Sequence, residues 1–329
     1  MAAHESGFPR LLGDVGGTNA RWAWQAAAGA PLAHVQILPC DGFESIDACL
    51  REYLRGQTLP APCHVGFGIA TAVTGDEVQM TNHPWRFSIG ALRATLGAER
   101  IVVLNDFEAL AHAVPVLGEA DLVAIGGGTA VVGANMAVIG PGTGLGVSGL
   151  VADGHGGWRV VVGEGGHVTL PAATSREASL LAVLRERFGP VSAERALSGP
   201  GLVNLYEAAC TLDGESALSL EPADVMVRGL AQGQHPASDA QCAEAVTTFA
   251  ALLGNVAGNL ALTLGARGGI YIGGGIAPRL GARLAVMPFR ERFESKGRFR
   301  SYLAAIPTRV ITAEAPALVG AARALDLAA

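Results

Sequence analysis

The chain has 329 residues, of which 50% are hydrophobic and 16% charged, with a net charge of −6 and a pI near 5.8. That length suits two domains of roughly 100 to 200 residues each, and the acidic balance, with no lysine or arginine stripe, argues against a nucleic-acid partner while leaving small phosphorylated ligands open. Five cysteines, at 40, 49, 63, 210 and 242, form neither a CxxC pair nor a Cys/His cluster with zinc-ligand spacing, so they are expected to be reduced core residues.

The N-terminus, MAAHESGFPR, lacks the apolar core of a signal peptide, and cytoplasmic residence is the expectation. Strands are predicted over 10–14 and 20–25, joined by the tip of LLGDVGGTNAR. Glycine at 16 and 17 can release backbone conformations closed to other residues, so that amide N–H groups converge on a phosphate, with the Thr18 hydroxyl beside them. Asp14 can hold a hydrated Mg²⁺ that accompanies ATP, because magnesium takes a few carboxylates and keeps several waters. An ordinary glycine hairpin fits this segment equally well.

A strand at 33–38, a helix over 43–55 and a strand at 63–72 come next; 77–90 reads as irregular, and a helix at 88–96 leads to strand 101–104 and helix 107–114. Asn105-Asp106 stands at the junction of that last strand and helix. Both residue types are favoured helix caps. A carboxylate at the carboxyl end of a strand can instead serve as the base that phosphoryl transfer to an alcohol requires, with Asn105 holding a neighbouring hydroxyl.

From about 121 the plan restarts, with strands at 136–140, 145–151, 158–162 and 269–273, and helices at 175–188, 201–210, 222–232, 239–265 and after Pro278. The strand 308–312 and helix 315–327 are expected to return to the first domain. Two uncharged stretches, 122–152 and 245–266, exceed a bilayer span in length, but glycines break the first into short strands and the second carries an apolar helical stripe, so both read as buried core and no membrane is expected. AVIGPGTGLGVSGLV and GIYIGGGI repeat the strand and glycine tip, placing Gly142, Thr143 and Gly144 in one and Gly273, Gly274 and Gly275 in the other. Lys296 is the sole lysine and there is no Walker A sequence, so charge on a phosphate falls to Mg²⁺ and backbone dipoles. The GxGxxG at 144–149 runs into another strand rather than a helix and reads as chance.

In VVGEGGHVTL, Glu164 and His167 flank a glycine turn, a pairing that suits a polyhydroxylated ligand and falls short of a metal site. A histidine beside an apolar run can equally be structural. Glu194, in VSAERALSGPGLVNLY, can simply pair with Arg195.

Taken together, these segments resemble the bacterial glucokinase family of the actin-like, hexokinase and chaperone ATPase superfamily. GDVGGTNAR (13–21), MTNHPWRFSI (80–89), LNDFEALAHAVP (104–115), GPGTGLGVSGLV (140–151), GEGGHV (163–168), VSAERALSGPGLVNLY (191–206) and GGIYIGGGIAPR (268–279) carry the likeness across almost the whole chain. The resemblance implies two RNase H-like α/β domains, with mixed sheets flanked by helices and an interdomain cleft: a small domain of 1–116 plus 308–329 and a large one of 117–307. It implies Asp106 as general base for the 6-hydroxyl of D-glucose, and Asn105, Asp106, Glu164, His167 and Glu194 as sugar ligands. Gly13, Asp14, Val15, Gly16, Gly17 and Thr18 would form the first phosphate segment, Gly142 to Gly144 the second, and Gly273 to Gly275 would face the adenosine. ATP, Mg²⁺ and a homodimer complete the expectation. The related ROK kinases usually carry a cysteine-rich zinc motif after the histidine of this segment; none comes after His167, which fits the zinc-free branch. Another hexose, or polyphosphate as donor, is the alternative within enzymes. A non-catalytic sugar-sensing module is the alternative outside them, and it would need a helix-turn-helix for which the first strand, starting within about ten residues of Met1, leaves no room.

Overall fold

Alternation of large apolar residues with glycine along single strands decides which face of each sheet forms a core and which admits helices. The structure, a computed structural model, describes residues 7–231 and 239–328. The chain divides into two units, Met1–Leu117 with Ala313–Ala329, and Gly118–Thr312.

In the first unit β1 (Arg10–Val15), β2 (Asn19–Gln25) and β3 (Ala33–Pro39) form an antiparallel meander, succeeded by α1 (Ile46–Gly56). β4 (His64–Ile69) adds parallel to β1. Residues expected to be irregular instead hold a short hairpin, β5 (Glu77–Gln79) and β6 (Arg86–Ser88), whose three-residue strands are too short to show a period. After α2 (Ile89–Leu96), β7 (Arg100–Asn105) joins parallel to β4, and α3 (Asp106–Ala113) starts at the next residue. The sheet order is β3-β2-β1-β4-β7. Along β4, Val65, Phe67 and Ile69 enter a core with Trp22, Leu50 and Tyr53, each fully buried. Trp22 meets Phe67 edge-on at 5.7 Å, and each such side chain stabilises the fold by about 2–3 kcal/mol through burial.

In the second unit β8 (Leu122–Gly126), which the sequence pattern did not reveal, precedes β9 (Met136–Pro141), β10 (Leu145–Ala152) and β11 (Trp158–Gly163). Helices α4 (Ser175–Phe188), α5 (Gly199–Asp213), α6 (Pro222–Leu230) and α7 (Ala240–Leu264) come after them. The helix expected over 222–232 thus ends at Leu230, and its last expected residue lies outside the described ones. Then come β12 (Gly269–Ile272), the short helices α8 (Ala277–Leu280), α9 (Phe289–Glu294) and α10 (Arg300–Ala304), and β13 (Thr308–Ile311). The sheet order is β11-β10-β9-β12-β13-β8. α7 is long and apolar enough to cross a bilayer, yet it is mostly buried in this unit's core, which accounts for its composition.

One expected boundary is corrected. β13 pairs parallel with β12 and antiparallel with β8, so residues 308–311 belong to the second unit, and only the chain from Ala313 onward returns to the first. The reason is pairing: β13 supplies backbone partners to strands on both its sides. The returning segment is α11 (Pro316–Leu327), which lies on α3 so closely that a Cβ at Gly320 would overlap the Ala109 carbonyl.

Candidate active site

In the first unit the β1–β2 tip is closed by the Gly16 N–H donating to the Asn19 carbonyl (2.9 Å) and tied down by the Cys40 N–H donating to the Thr18 carbonyl (2.8 Å). The N–H groups of Gly17 and Thr18 and the Thr18 hydroxyl have no partner among the described residues. They are free to donate to an anion. Neither Gly16 nor Gly17 occupies the left-handed region, contrary to the expectation that the turn needs it. Gly17 matters by proximity instead, since a Cβ there would lie 3.2 Å from the Asn82 side chain. Two further expectations shrink. Gly13 lies inside β1, where a Cβ would overlap the Trp22 ring, and Val15 is a fully buried residue whose carbonyl accepts the Ala70 N–H. Both are packing residues of the strand.

Asn105 ends β7 and Asp106 opens α3. The capping reading holds for Asn105: its Oδ1 accepts the Phe107 N–H at 3.0 Å, while its Nδ2 donates to the Thr71 carbonyl at 3.1 Å. Thr71 is itself held by the Gln79 carbonyl and the Thr81 hydroxyl, each at 3.0 Å, so the β5–β6 hairpin braces the β7–α3 junction. Asp106 shares the Phe107 N–H (2.9 Å). Room for it comes from Gly68, paired with Asp14 on one side and Leu104 on the other, where a Cβ would lie 2.9 Å from the Ala109 Cβ and 3.5 Å from the Asp106 Cα. Neither Thr71 nor Gly68 was singled out in the sequence. The alternation of glycine with large apolar residues in HVGFGI was the available signal for Gly68.

Charge at this end of the sheet is unusual. Burial raises the Asp14 carboxyl, with the Arg21 guanidinium opposing. Asp106 is raised to about 6, chiefly by burial and further by the Asp14 charge, while the Phe107 N–H pulls it down. A carboxyl titrating there is ionised at neutral pH and is more basic than an exposed aspartate, which is what a general base needs.

In the second unit the β9–β10 tip is closed by the Gly142 N–H donating to the Gly144 carbonyl at 2.8 Å. The Gly199 N–H, in the first turn of α5, donates to the Gly142 carbonyl at 2.8 Å. The third glycine run packs onto this tip: the Gly273 N–H donates to the Ile139 carbonyl, and a Cβ at Gly274, where φ is +76°, would overlap the Pro141 carbonyl. Only glycine fits. The N–H groups of Thr143, Gly144, Gly274 and Gly275 have no partner among the described residues. Tips two and three therefore offer one group of free donors.

Glu164, Gly165, Gly166 and His167 come directly after β11, with the His167 N–H donating to the Glu164 carbonyl at 3.0 Å, and both side chains are exposed. Gly165 rests on Val147, and a Cβ at Gly166 would overlap the Leu145 carbonyl. Leu145 also donates its N–H to Glu194 Oε2 at 2.9 Å. Residues 168–170 run antiparallel to 191–193 through the Ala193 to Val168 and Leu170 to Val191 hydrogen bonds, which brings Glu194 to the same place as His167. Among the described residues Glu194 forms no ion pair with Arg195, whose guanidinium lies over the Phe188 ring at 4.5 Å. Ser198 caps α5 by accepting the Gly201 N–H and donates its hydroxyl to the Glu194 carbonyl at 2.8 Å, so Glu194 is fixed at both backbone and carboxylate.

The family model described as Glucokinase matches residues 11–328. A glucokinase from Aromatoleum aromaticum is 53% identical over 322 residues, covering 97% of this chain and 95% of the relative, and one from Ralstonia nicotianae is 49% identical over 329 residues with the same coverage. A glucokinase crystal structure from an Antarctic psychrotroph has a TM-score of 0.87 at 35% identity, covering 97% of this chain and 99% of that one.

Proposed function

The chain belongs to the glucokinase family and is a sugar kinase; from that premise we propose that it transfers the γ-phosphoryl group of ATP to the 6-hydroxyl of D-glucose, giving glucose 6-phosphate and ADP. The observation that carries the reading is the Asp106 carboxyl at the carboxyl end of β7, raised to about 6. As the 6-oxygen attacks the γ-phosphorus, Asp106 accepts its proton, and the bond to the β-phosphate oxygen breaks. Asn105 keeps one amide hydrogen for a sugar hydroxyl and Glu194 keeps its second carboxylate oxygen, since the rest of each side chain is engaged within its own unit. Glu164 and His167, exposed and fixed by the glycine pair on β10, take further hydroxyls.

The free N–H groups at 17–18, 143–144 and 274–275 supply donors to the phosphates and the nucleoside. Asp14 fits magnesium: its half-buried side chain offers a carboxylate, a donor of the type this ion prefers, with the Arg21 guanidinium beside it. Bound there through water, the ion would neutralise charge on the transferring phosphoryl group. A homodimer and a cytoplasmic location belong to the same reading.

The test is ADP release in a coupled assay with ATP, with and without glucose. Glucose-dependent release supports the proposal. A higher kcat/KM for another hexose, or turnover with polyphosphate in place of ATP, would reassign the substrate while leaving the site. Sedimentation gives the oligomeric state.

A further inference from the structure

The opposite end of the first unit's sheet carries a second group of chemically active side chains. A sulfur of Cys63, a ring nitrogen of His64 and a carboxylate oxygen of Glu99 all lie within 4.8 Å of one another. Spacing along the chain conceals them, because Glu99 comes from the segment before β7. It is brought in by its N–H donating to the Cys63 carbonyl at 2.8 Å, as β4 and β7 begin side by side with His64 opposite Arg100. His64 is the first residue of β4 and Ile69, which pairs with Asn105, is its last. The cluster thus stands about 17 Å along the strand from the Asp106 end.

One of these groups lacks a satisfying arrangement within the protein. His64 Nδ1 is shielded from solvent and has no hydrogen-bond partner among the described residues. A buried imidazole nitrogen in that position has given up its water without compensation. Gly7, at φ +94°, packs against the His64 ring, where a Cβ on it would lie 2.8 Å from Nδ1.

We propose that Cys63, His64 and Glu99 form a binding site for a thiophilic divalent cation of the zinc class at the amino-terminal edge of the first unit's sheet. Sulfur, imidazole and carboxylate are the ligand types that zinc takes, and three of them leave a fourth position for water. Ligand atoms around tetrahedral zinc stand about 3.3–3.6 Å apart; the trio already lies within 4.8 Å, and the exposed Glu99 side chain can close on the ion by changing rotamer. Binding replaces the thiol proton, leaving thiolate and carboxylate to offset the ion's two charges. Of the nearby cations, Arg10 is paired with Asp326 at 2.6 Å, whereas Arg100 donates to the Ala328 carbonyl and keeps its charge. The other four cysteines are buried, so a sulfur signal is attributable to Cys63.

The experiment titrates the full-length protein with Co²⁺ and then Zn²⁺. One equivalent of Co²⁺ should give a thiolate-to-cobalt charge-transfer band that Zn²⁺ abolishes, and Glu99→Gln and His64→Gln should each weaken binding about 10-fold or more, as loss of a direct ligand exceeds loss of an outer partner. Cys63→Ser should remove the band. Sugar phosphorylation by the same variants without added transition metal reports that they fold, and Glu99→Gln, at an exposed position, keeps the test available if the Cys63 variant does not. Absence of the band in the wild-type protein, or a band of undiminished affinity in Glu99→Gln and His64→Gln, overturns the proposal.

Discussion

Asp106 meets two opposed demands at the scale of a residue, because one carboxyl is asked both to sit in a packed junction and to ionise. Asp106→Asn should lower kcat by about 10²–10⁴-fold while leaving glucose binding measurable by calorimetry, since the amide keeps the shape and loses the proton acceptor. The wild-type kcat/KM should fall about tenfold per pH unit below about 6, the value to which burial lifts this group. Linkage gives the opposite sign for stability. A folded-state value raised above the ordinary 3.8 means that the native protein holds this proton longer, so stability is present at low pH and is lost as pH rises from 3.8 to about 6. Asp106→Asn should therefore be more stable than wild type at pH 7, by at most about 3 kcal/mol, and the gain should vanish at pH 4 in chemical denaturation. Equal stability of the two proteins across that range would mean that the carboxyl is not desolvated. Gly68→Ala probes the same residue from behind: a methyl 2.9 Å from the Ala109 Cβ should cost about 1–3 kcal/mol and reduce kcat more than it raises KM, as Asp106 moves with α3.

Elements transmit position to these residues through their ends and their closest approaches. Ser198 caps α5 and also holds the Glu194 carbonyl, so Ser198→Ala should cost about 1 kcal/mol and raise the glucose KM with little change in kcat. A change confined to stability would limit the residue to capping. α11 reaches α3 through Gly320, and Gly320→Ala must push two helix backbones apart. We expect a loss of at least about 2 kcal/mol and a fall in kcat, read from thermal melts and steady-state kinetics, because α3 opens on Asp106. Unchanged kcat in a folded Gly320→Ala protein would show that α11 only supports the fold.

At the scale of the whole molecule, binding and folding are linked. Glucose at about 100 times its Kd should stabilise the protein by about 2.7 kcal/mol, and the transition of any unit that holds it should rise. His167→Ala should shrink that shift without altering the melt in the absence of sugar, given its exposed side chain. Calorimetry in which the second unit's transition ignored glucose would remove Glu164, His167 and Glu194 from the sugar set. The local devices of this proposed site were legible in the sequence, because a glycine tip, an Asn-Asp junction or a Glu-Gly-Gly-His turn is complete within a few residues. Gly68, Thr71 and the Leu145 backbone were not, since each acts through a partner from a distant segment.

What the sequence by itself determined is therefore the local devices, their order along the chain and the family likeness, together with most strands and helices long enough to show a period. Tertiary structure alone decided that β13 completes the second sheet, that Gly13 and Val15 pack rather than present, that Glu194 engages Leu145 instead of Arg195, and that Asp106 is lifted to about 6. The division has one physical cause. Turn chemistry and periodicity depend on neighbours in the chain, whereas strand pairing, close packing and desolvation depend on neighbours in space.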